Sequence, residues 1–334
     1  MTKNTSKDGK CFSCCKQKIL TKEHVFPQAL GGKLSVSTYC KECNERFGSE
    51  IDSQLIKNLG YFATTININR DRGKNQPYDL ITVKDATELT YDGKKLSIKK
   101  PIFKIEIEKD GYEVKAIDIT ARTESELYKK IASIKRKYNL SSEKQKIFKE
   151  HHSSIDTKMS CTFDNSLIRR AIAKIAYNLI CIKLPESYIL SASFDDIREY
   201  IRFGGKIDLA AANFSYTQFM SDYTRPLHKI HISLNKRSNI VAGFVCLFGT
   251  FRYAVLISKD FQSHFEWPGL DYTFDPFTSK KIFGNIYFRS PELSIDQLLS
   301  PNDSLQFILN ELSKGYKIIE QYNKGYKFLK IEID

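Results

Sequence analysis

The spacing of apolar positions changes several times along the chain, and each change marks an element. In "NERFGSEIDSQLIKNLG" (44–60), Phe47, Ile51 and Leu55 recur every four residues, which predicts an amphipathic helix beginning near Asn44 and stopping at Gly60. Ahead of it, "ILTKEHVF" (19–26) reads as a short strand. Pro27 blocks its continuation and Gly31-Gly32 supply the dihedrals of a turn, so the order is strand, turn, strand, helix. Residues 61–120 read as a β meander, with turns at Asp92-Gly93 and Asp110-Gly111 and alternation in "FKIEIEKDGYEVKAIDI". Thr123 and Glu126 then form a capping box ahead of an apolar stripe of Leu127, Ile131, Ile134 and Tyr138.

The polar run "SSEKQKIFKEHHSSID" (141–156) reads as a linker. Beyond it, "NSLIRRAIAKIAYNLICIKL" predicts a long helix with an apolar face, and "SFDDIREYIRFGG" a shorter one capped by Ser193 and ended by Gly204-Gly205. "HKIHISL", "IVAGFVCLF" and "FRYAVLI" read as strands, the last two joined by a two-residue turn at Gly249-Thr250. The expected class is α+β: a small N-terminal unit over residues 1–62, a meander with a basic helix over 63–145, and a larger α+β region over 146–334 that selects substrate or partner.

Composition narrows the partners. At 334 residues with a net charge of +13, the chain carries a field that concentrates polyanions, and nucleic acid is the leading partner. Lys129, Lys130, Lys135, Arg136 and Lys137 line the solvent side of the 123–140 helix, and "INRDRGKNQP" (68–77) is a basic loop; either fits a phosphate backbone or a solvated surface. A membrane partner is not expected, because no window holds 18 uninterrupted apolar residues. The lysine-rich start lacks an apolar segment of the secretory kind, so a reducing cytoplasm is the expected compartment. A homodimer or a partner protein is compatible with the sequence.

Five of the eight cysteines lie in the first 43 residues. Cys11-x2-Cys14 and Cys40-x2-Cys43 have the form of a four-thiolate structural Zn²⁺ site, each pair chelating from one tight turn, with Cys15 an alternative to Cys14. Cys161, Cys181 and Cys246 sit in apolar surroundings and read as small core residues. The pairs His151-His152 and His228-x2-His231 lack neighbouring carboxylates or cysteines and do not read as metal sites.

Between the knuckles stand Glu23 and His24, then Pro27, Gly31-Gly32, and Cys43 running into Asn44. Together with the zinc knuckles, this order resembles the HNH endonucleases in their zinc-stapled ββα-metal form, over residues 11–60. The resemblance implies that His24 is the general base and that Glu23 and Asn44 hold the catalytic divalent ion, Mg²⁺ or Mn²⁺. It also implies double-stranded DNA as substrate. The residue types suit the chemistry, since a neutral imidazole can take a proton from water, while a carboxylate and an amide oxygen are ligands for a hard cation. Two departures stand out. The position before the histidine is commonly Asp or His in the family, and the middle asparagine is replaced by Ser35, with Ser37 and Thr38 nearby, so the group that orients the imidazole is open. A restriction or phage-defence role is expected first and a mobile-element endonuclease second. The competing class is a non-catalytic zinc-dependent nucleic-acid binder in which Glu23 and His24 serve the fold.

Overall fold

The computed structural model describes residues 7–68, 77–84, 86–94, 96–107, 114–121, 123–139, 157–158, 161–262, 269–282 and 292–322. The chain forms two compact units, one built from residues 1–75 and 161–324, the other from 76–160 and 325–334. The boundaries expected at 62 and 145 do not coincide with this division, because the N-terminal elements share a core with the long helix that follows residue 165.

The first unit opens with β1 (Lys7–Lys10), β2 (Gln17–His24) and β3 (Ser35–Cys40), an antiparallel sheet in that order. Helix α1 (Lys41–Phe47) follows at once, then a π-helical stretch over Gly48–Asp52, then α2 (Ser53–Thr65). The helix therefore begins three residues before Asn44 and runs through Gly60. Its end is made by Asn67 in the left-handed conformation (φ 52°), with Ile68 N–H donating back to the Ala63 carbonyl. The expected stripe holds, since Phe47, Ile51 and Leu55 are all fully buried, and Leu59, also fully buried, extends it. The β2–β3 turn requires glycine. A Cβ on Gly32 would stand 1.9 Å from the Phe26 carbonyl oxygen, and Gly31 has φ 95°.

The second unit carries the meander: β4 (Tyr78–Thr82), β5 (Glu88–Tyr91) and β6 (Leu96–Ile98), then the hairpin β7 (Ile102–Ile107) with β8 (Val114–Thr120). α3 (Glu124–Tyr138) follows and β9 (Thr157–Lys158) pairs with β4. Thr123 caps α3 by accepting from Glu126 N–H at 3.2 Å. Residues 61–65 belong to α2 rather than to the meander. Asp110-Gly111, the 69–76 part of the basic loop, the 141–156 linker and His151-His152 lie outside the described residues.

The chain then returns to the first unit with α4 (Ser166–Lys183), α5 (Glu186–Ile189) and α6 (Asp195–Phe203). Asn165 caps α4. Ser193, expected to cap α6, instead sits in the short turn before it, and Phe194 precedes the helix with no side-chain cap. The strands β10 (Ala210–Ala212), β11 (His228–Asn235), β12 (Ile240–Leu247), β13 (Phe251–Ser258), β14 (Leu270–Asp275) and β15 (Lys280–Lys281) form an antiparallel sheet in the order β10-β13-β12-β11-β14-β15. The β12–β13 loop has three residues, not two, with Phe248 (φ 55°) and Gly249 (φ 68°) both left-handed. α4 lies against β12, where a Cβ on Gly243 would meet Ala176 Cβ at 3.0 Å. Helices α7 (Ile295–Leu299) and α8 (Leu305–Tyr322) complete the unit. No helix among the described residues is long and apolar enough to cross a membrane.

His228, fully buried, ties this sheet to the β2–β3 turn. Its Nε2–H donates to the Leu30 carbonyl at 2.8 Å and its Nδ1 accepts from Phe248 N–H at 3.1 Å, so both nitrogens are engaged and the neutral tautomer is fixed. Burial lowers its pKa to about 4, so the unfolded chain binds a proton near pH 6.5 that the folded protein refuses. Stability should therefore fall between pH 6.5 and pH 4, by about 3 kcal/mol from this group. Urea unfolding at pH 7.0 and 4.5 measures it, and His228→Gln should flatten the slope.

Candidate active site and metal centre

The two knuckles converge. The Sγ atoms of Cys11, Cys14, Cys40 and Cys43 all lie within 4.8 Å of one another, and those of Cys14 and Cys40 are 4.0 Å apart. Zinc–sulfur bonds of about 2.3 Å in a tetrahedron place sulfurs roughly 3.8 Å apart, so the set fits Zn²⁺. Cys40 N–H donates to Cys11 Sγ at 3.3 Å, an interaction that favours a thiolate. Cys43 hydrogen-bonds Cys11, holding the Cys11 thiol down at about 4 while Cys43 itself is pushed far up; burial raises Cys14. A divalent cation at the centre of four sulfurs would hold them as thiolates. Cys15 is exposed, with φ 57°, and lies outside the cluster, so Cys14 is the fourth member.

β2 leads from this centre to the Glu-His pair. Strand alternation turns Glu23 inward, to 8% exposure, and leaves His24 half-buried. Val25 N–H donates to the Leu34 carbonyl at 2.8 Å, one residue beyond the last ladder pair, His24 and Ser35. That pair is then the non-bonded kind, which brings side chains closest across the ladder. Ser35, at the position of the absent asparagine, thus stands directly opposite His24. Asn44, in α1, donates through Nδ2 to Thr21 Oγ1 at 3.0 Å and to the Lys22 carbonyl at 3.1 Å, so its amide is anchored beside the strand just before Glu23.

The partner of Glu23 comes from far along the chain. Lys174, fully buried in α4, binds Glu23 Oε1 and, at 2.6 Å, Asp52 Oδ2. Burial alone lowers an ammonium's pKa, but the two carboxylates outweigh it and hold Lys174 above its ordinary value. Burial pushes the Glu23 carboxyl up, against the pull of Lys174. One turn on, buried Asn178 donates Nδ2 to the His24 carbonyl at 3.2 Å and accepts from Tyr39 O–H at 2.6 Å. One turn back, Arg170 donates to the Ile201 and Arg202 carbonyls and lies 3.5 Å from Glu50. Tyr177 O–H reaches the Phe12 carbonyl, beside the first knuckle, at 3.0 Å. A polar row at 170, 174 and 178 in a largely apolar helix is a local signal of these partners; that they meet Glu23, Asp52 and His24 is not written locally.

Comparison with known families agrees with this geometry. Residues 11–60 match the family model for HNH endonucleases. No curated protein and no solved structure matches the chain significantly. The N-terminal segment is thus an HNH domain with a four-cysteine cluster able to hold zinc, inside an α+β chain. An HNH domain points to a nuclease and so to nucleic acid as partner. The Glu23 carboxylate, bound by Lys174, and the Asn44 side-chain amide carry oxygen atoms of the hard type that Mg²⁺ takes.

Metal analysis of purified protein should find one zinc per chain. Cys14→Ser should lose it and Cys15→Ser should keep it; the opposite pattern would assign the site wrongly. Lys174→Met strands two buried carboxylates, and should cost about 3–5 kcal/mol in urea unfolding, most of it regained when Glu23→Gln and Asp52→Asn are added.

Proposed function

We propose that this protein is a divalent-metal-dependent HNH endonuclease that hydrolyses phosphodiester bonds of double-stranded DNA, with His24 as general base and Glu23 and Asn44 as the ligands of the catalytic ion. The observation that carries this reading is the joint placement of the family-matched elements: His24 ends β2 half-exposed, and Asn44 is fixed against that strand from the start of α1. When bound, Mg²⁺ or Mn²⁺ supplies charge stabilisation at the phosphate and leaving oxygen. The neutral His24 imidazole takes the proton of the attacking water, and Asn44, its nitrogen engaged by Thr21 and Lys22, presents its oxygen as a ligand. Zn²⁺ at the four cysteines has a structural role. The positive charge of the chain draws the polyanion in, and the basic face of α3 is a surface for phosphate. A restriction or phage-defence nuclease in the cytoplasm is the biological setting we favour.

A second reading, a zinc-dependent DNA binder without catalysis, draws on one specific observation, the engagement of Glu23 by Lys174. Supercoiled plasmid in Mg²⁺ or Mn²⁺ separates the two. The intact protein should nick or linearise it, and His24→Ala should lower the rate at least ~100-fold while zinc content and DNA affinity hold. Cleavage at the normal rate by clean His24→Ala would remove His24 from the chemistry, and DNA binding without any cleavage would favour the binder.

A further inference from the structure

We propose that helix α4 completes the nuclease site and that Asn178 is a positioning residue for His24; this rests on the nuclease reading above. Val25 N–H donates to the Leu34 carbonyl, and the His24 carbonyl, on the opposite side of the same trans peptide, therefore points away from β3. Among the described residues, β1 pairs with residues 17–20 of β2 and does not reach the His24 carbonyl on that outer side. Asn178 does, through Nδ2 at 3.2 Å.

The amide can be oriented in one way only. A carbonyl oxygen can accept but not donate, so the nitrogen of Asn178 must face His24, and its oxygen takes the Tyr39 hydroxyl proton at 2.6 Å. Asn178 is fully buried, and so is Tyr39, itself packed edge-on against Phe47 at 5.2 Å. The donor is therefore held by the core of the HNH domain and cannot swing away. One helical turn earlier, Lys174 fixes the Glu23 carboxylate. A single face of α4 thus holds two consecutive residues of β2, one by its side chain and one by its backbone.

For a general base this matters more than for a packed residue. The imidazole moves with the peptide it grows from, and a misplacement of about 1 Å in a catalytic group is enough to cost on the order of 100-fold in rate. Ser35 lies across the ladder on the side-chain face; Asn178 acts on the other side, on the backbone. The duty left open by the missing middle asparagine falls on a residue more than 150 positions from His24 in sequence.

The test is a double-mutant cycle on the full-length protein, read as single-turnover cleavage of supercoiled plasmid in Mg²⁺, with DNA affinity, zinc content and melting temperature measured alongside. Asn178→Asp keeps the size and the acceptor for Tyr39 but removes the donor to His24; Asn178→Ala is the uncharged second variant, and Tyr39→Phe the comparison that loses a buried hydrogen bond without touching the donor. We expect Asn178→Asp or Asn178→Ala to lower the rate at least ~10-fold with DNA affinity within about 2-fold of the parent, and Tyr39→Phe to change the rate much less at a similar drop in melting temperature. In the His24→Ala background, the Asn178 change should add nothing. Equal losses in both backgrounds, or a normal rate for either Asn178 variant, overturn the inference while leaving the nuclease reading intact. Undiminished cleavage by His24→Ala alone overturns the nuclease reading itself.

Discussion

Taking the Lys174 ammonium out of water costs several kcal/mol unless carboxylates come with it. The two that do, Glu23 and Asp52, belong to different elements of the HNH domain, one on β2 and one at the end of the π-helical stretch. α4 therefore has one rotational setting and one depth against that domain. Turning it by a single residue would present an apolar side chain to two buried carboxylates and place the ammonium among Ile and Ala. The other polar residues of the row follow from the same setting: with Lys174 between Glu23 and Asp52, Asn178 falls on the His24 carbonyl and Arg170 on the end of α6. Such a pair adds little net stability over an apolar contact, and its effect is on uniqueness of packing.

A segment of about 50 residues buries too little apolar surface to stand firmly alone. This one is held from two ends. At one end, the four cysteines bring the loop before β2 against the start of α1, where a Zn²⁺ ion would replace a core that the loop lacks. At the other end, the β2–β3 turn is fixed by the His228 hydrogen bond to Leu30 and by Pro276, which lies 2.9 Å from where a Cβ on Gly31 would stand. α4 spans the ground between, reaching the first knuckle through Tyr177 and the strand end through Asn178. The candidate base thus sits on a rigid strand end, which suits a group whose function depends on position.

What the sequence revealed was local. The knuckle spacing, the Glu-His pair, the proline, the paired glycines and the four-residue apolar spacing all act within one turn or one hairpin, and each named its element. Boundaries failed where a tertiary contact outweighed a local sign. Gly60 reads as a stop, yet the helix continues because Tyr61, Phe62 and Ala63 are buried in the shared core, and Asn67 ends it instead. The shared core itself was hidden for a plain reason: nothing near Glu23 announces a lysine 151 positions away. The row Arg170, Lys174, Asn178 was readable as an anomaly on an apolar helix, but periodicity alone assigns such residues to solvent, and here they face the interior.

The central claim is that residues 11–60 and α4 form one cooperative unit rather than a zinc domain resting on a separate partner. Native-state amide hydrogen exchange on the intact, zinc-loaded protein tests it most directly, because it reads the opening free energy of each element without mutation. The account predicts that the amides of β2, β3 and α2 open together with those of α4, at one common free energy and with the same dependence on denaturant. Exchange from β2 and β3 at a distinctly lower free energy, with α4 still protected, would contradict it.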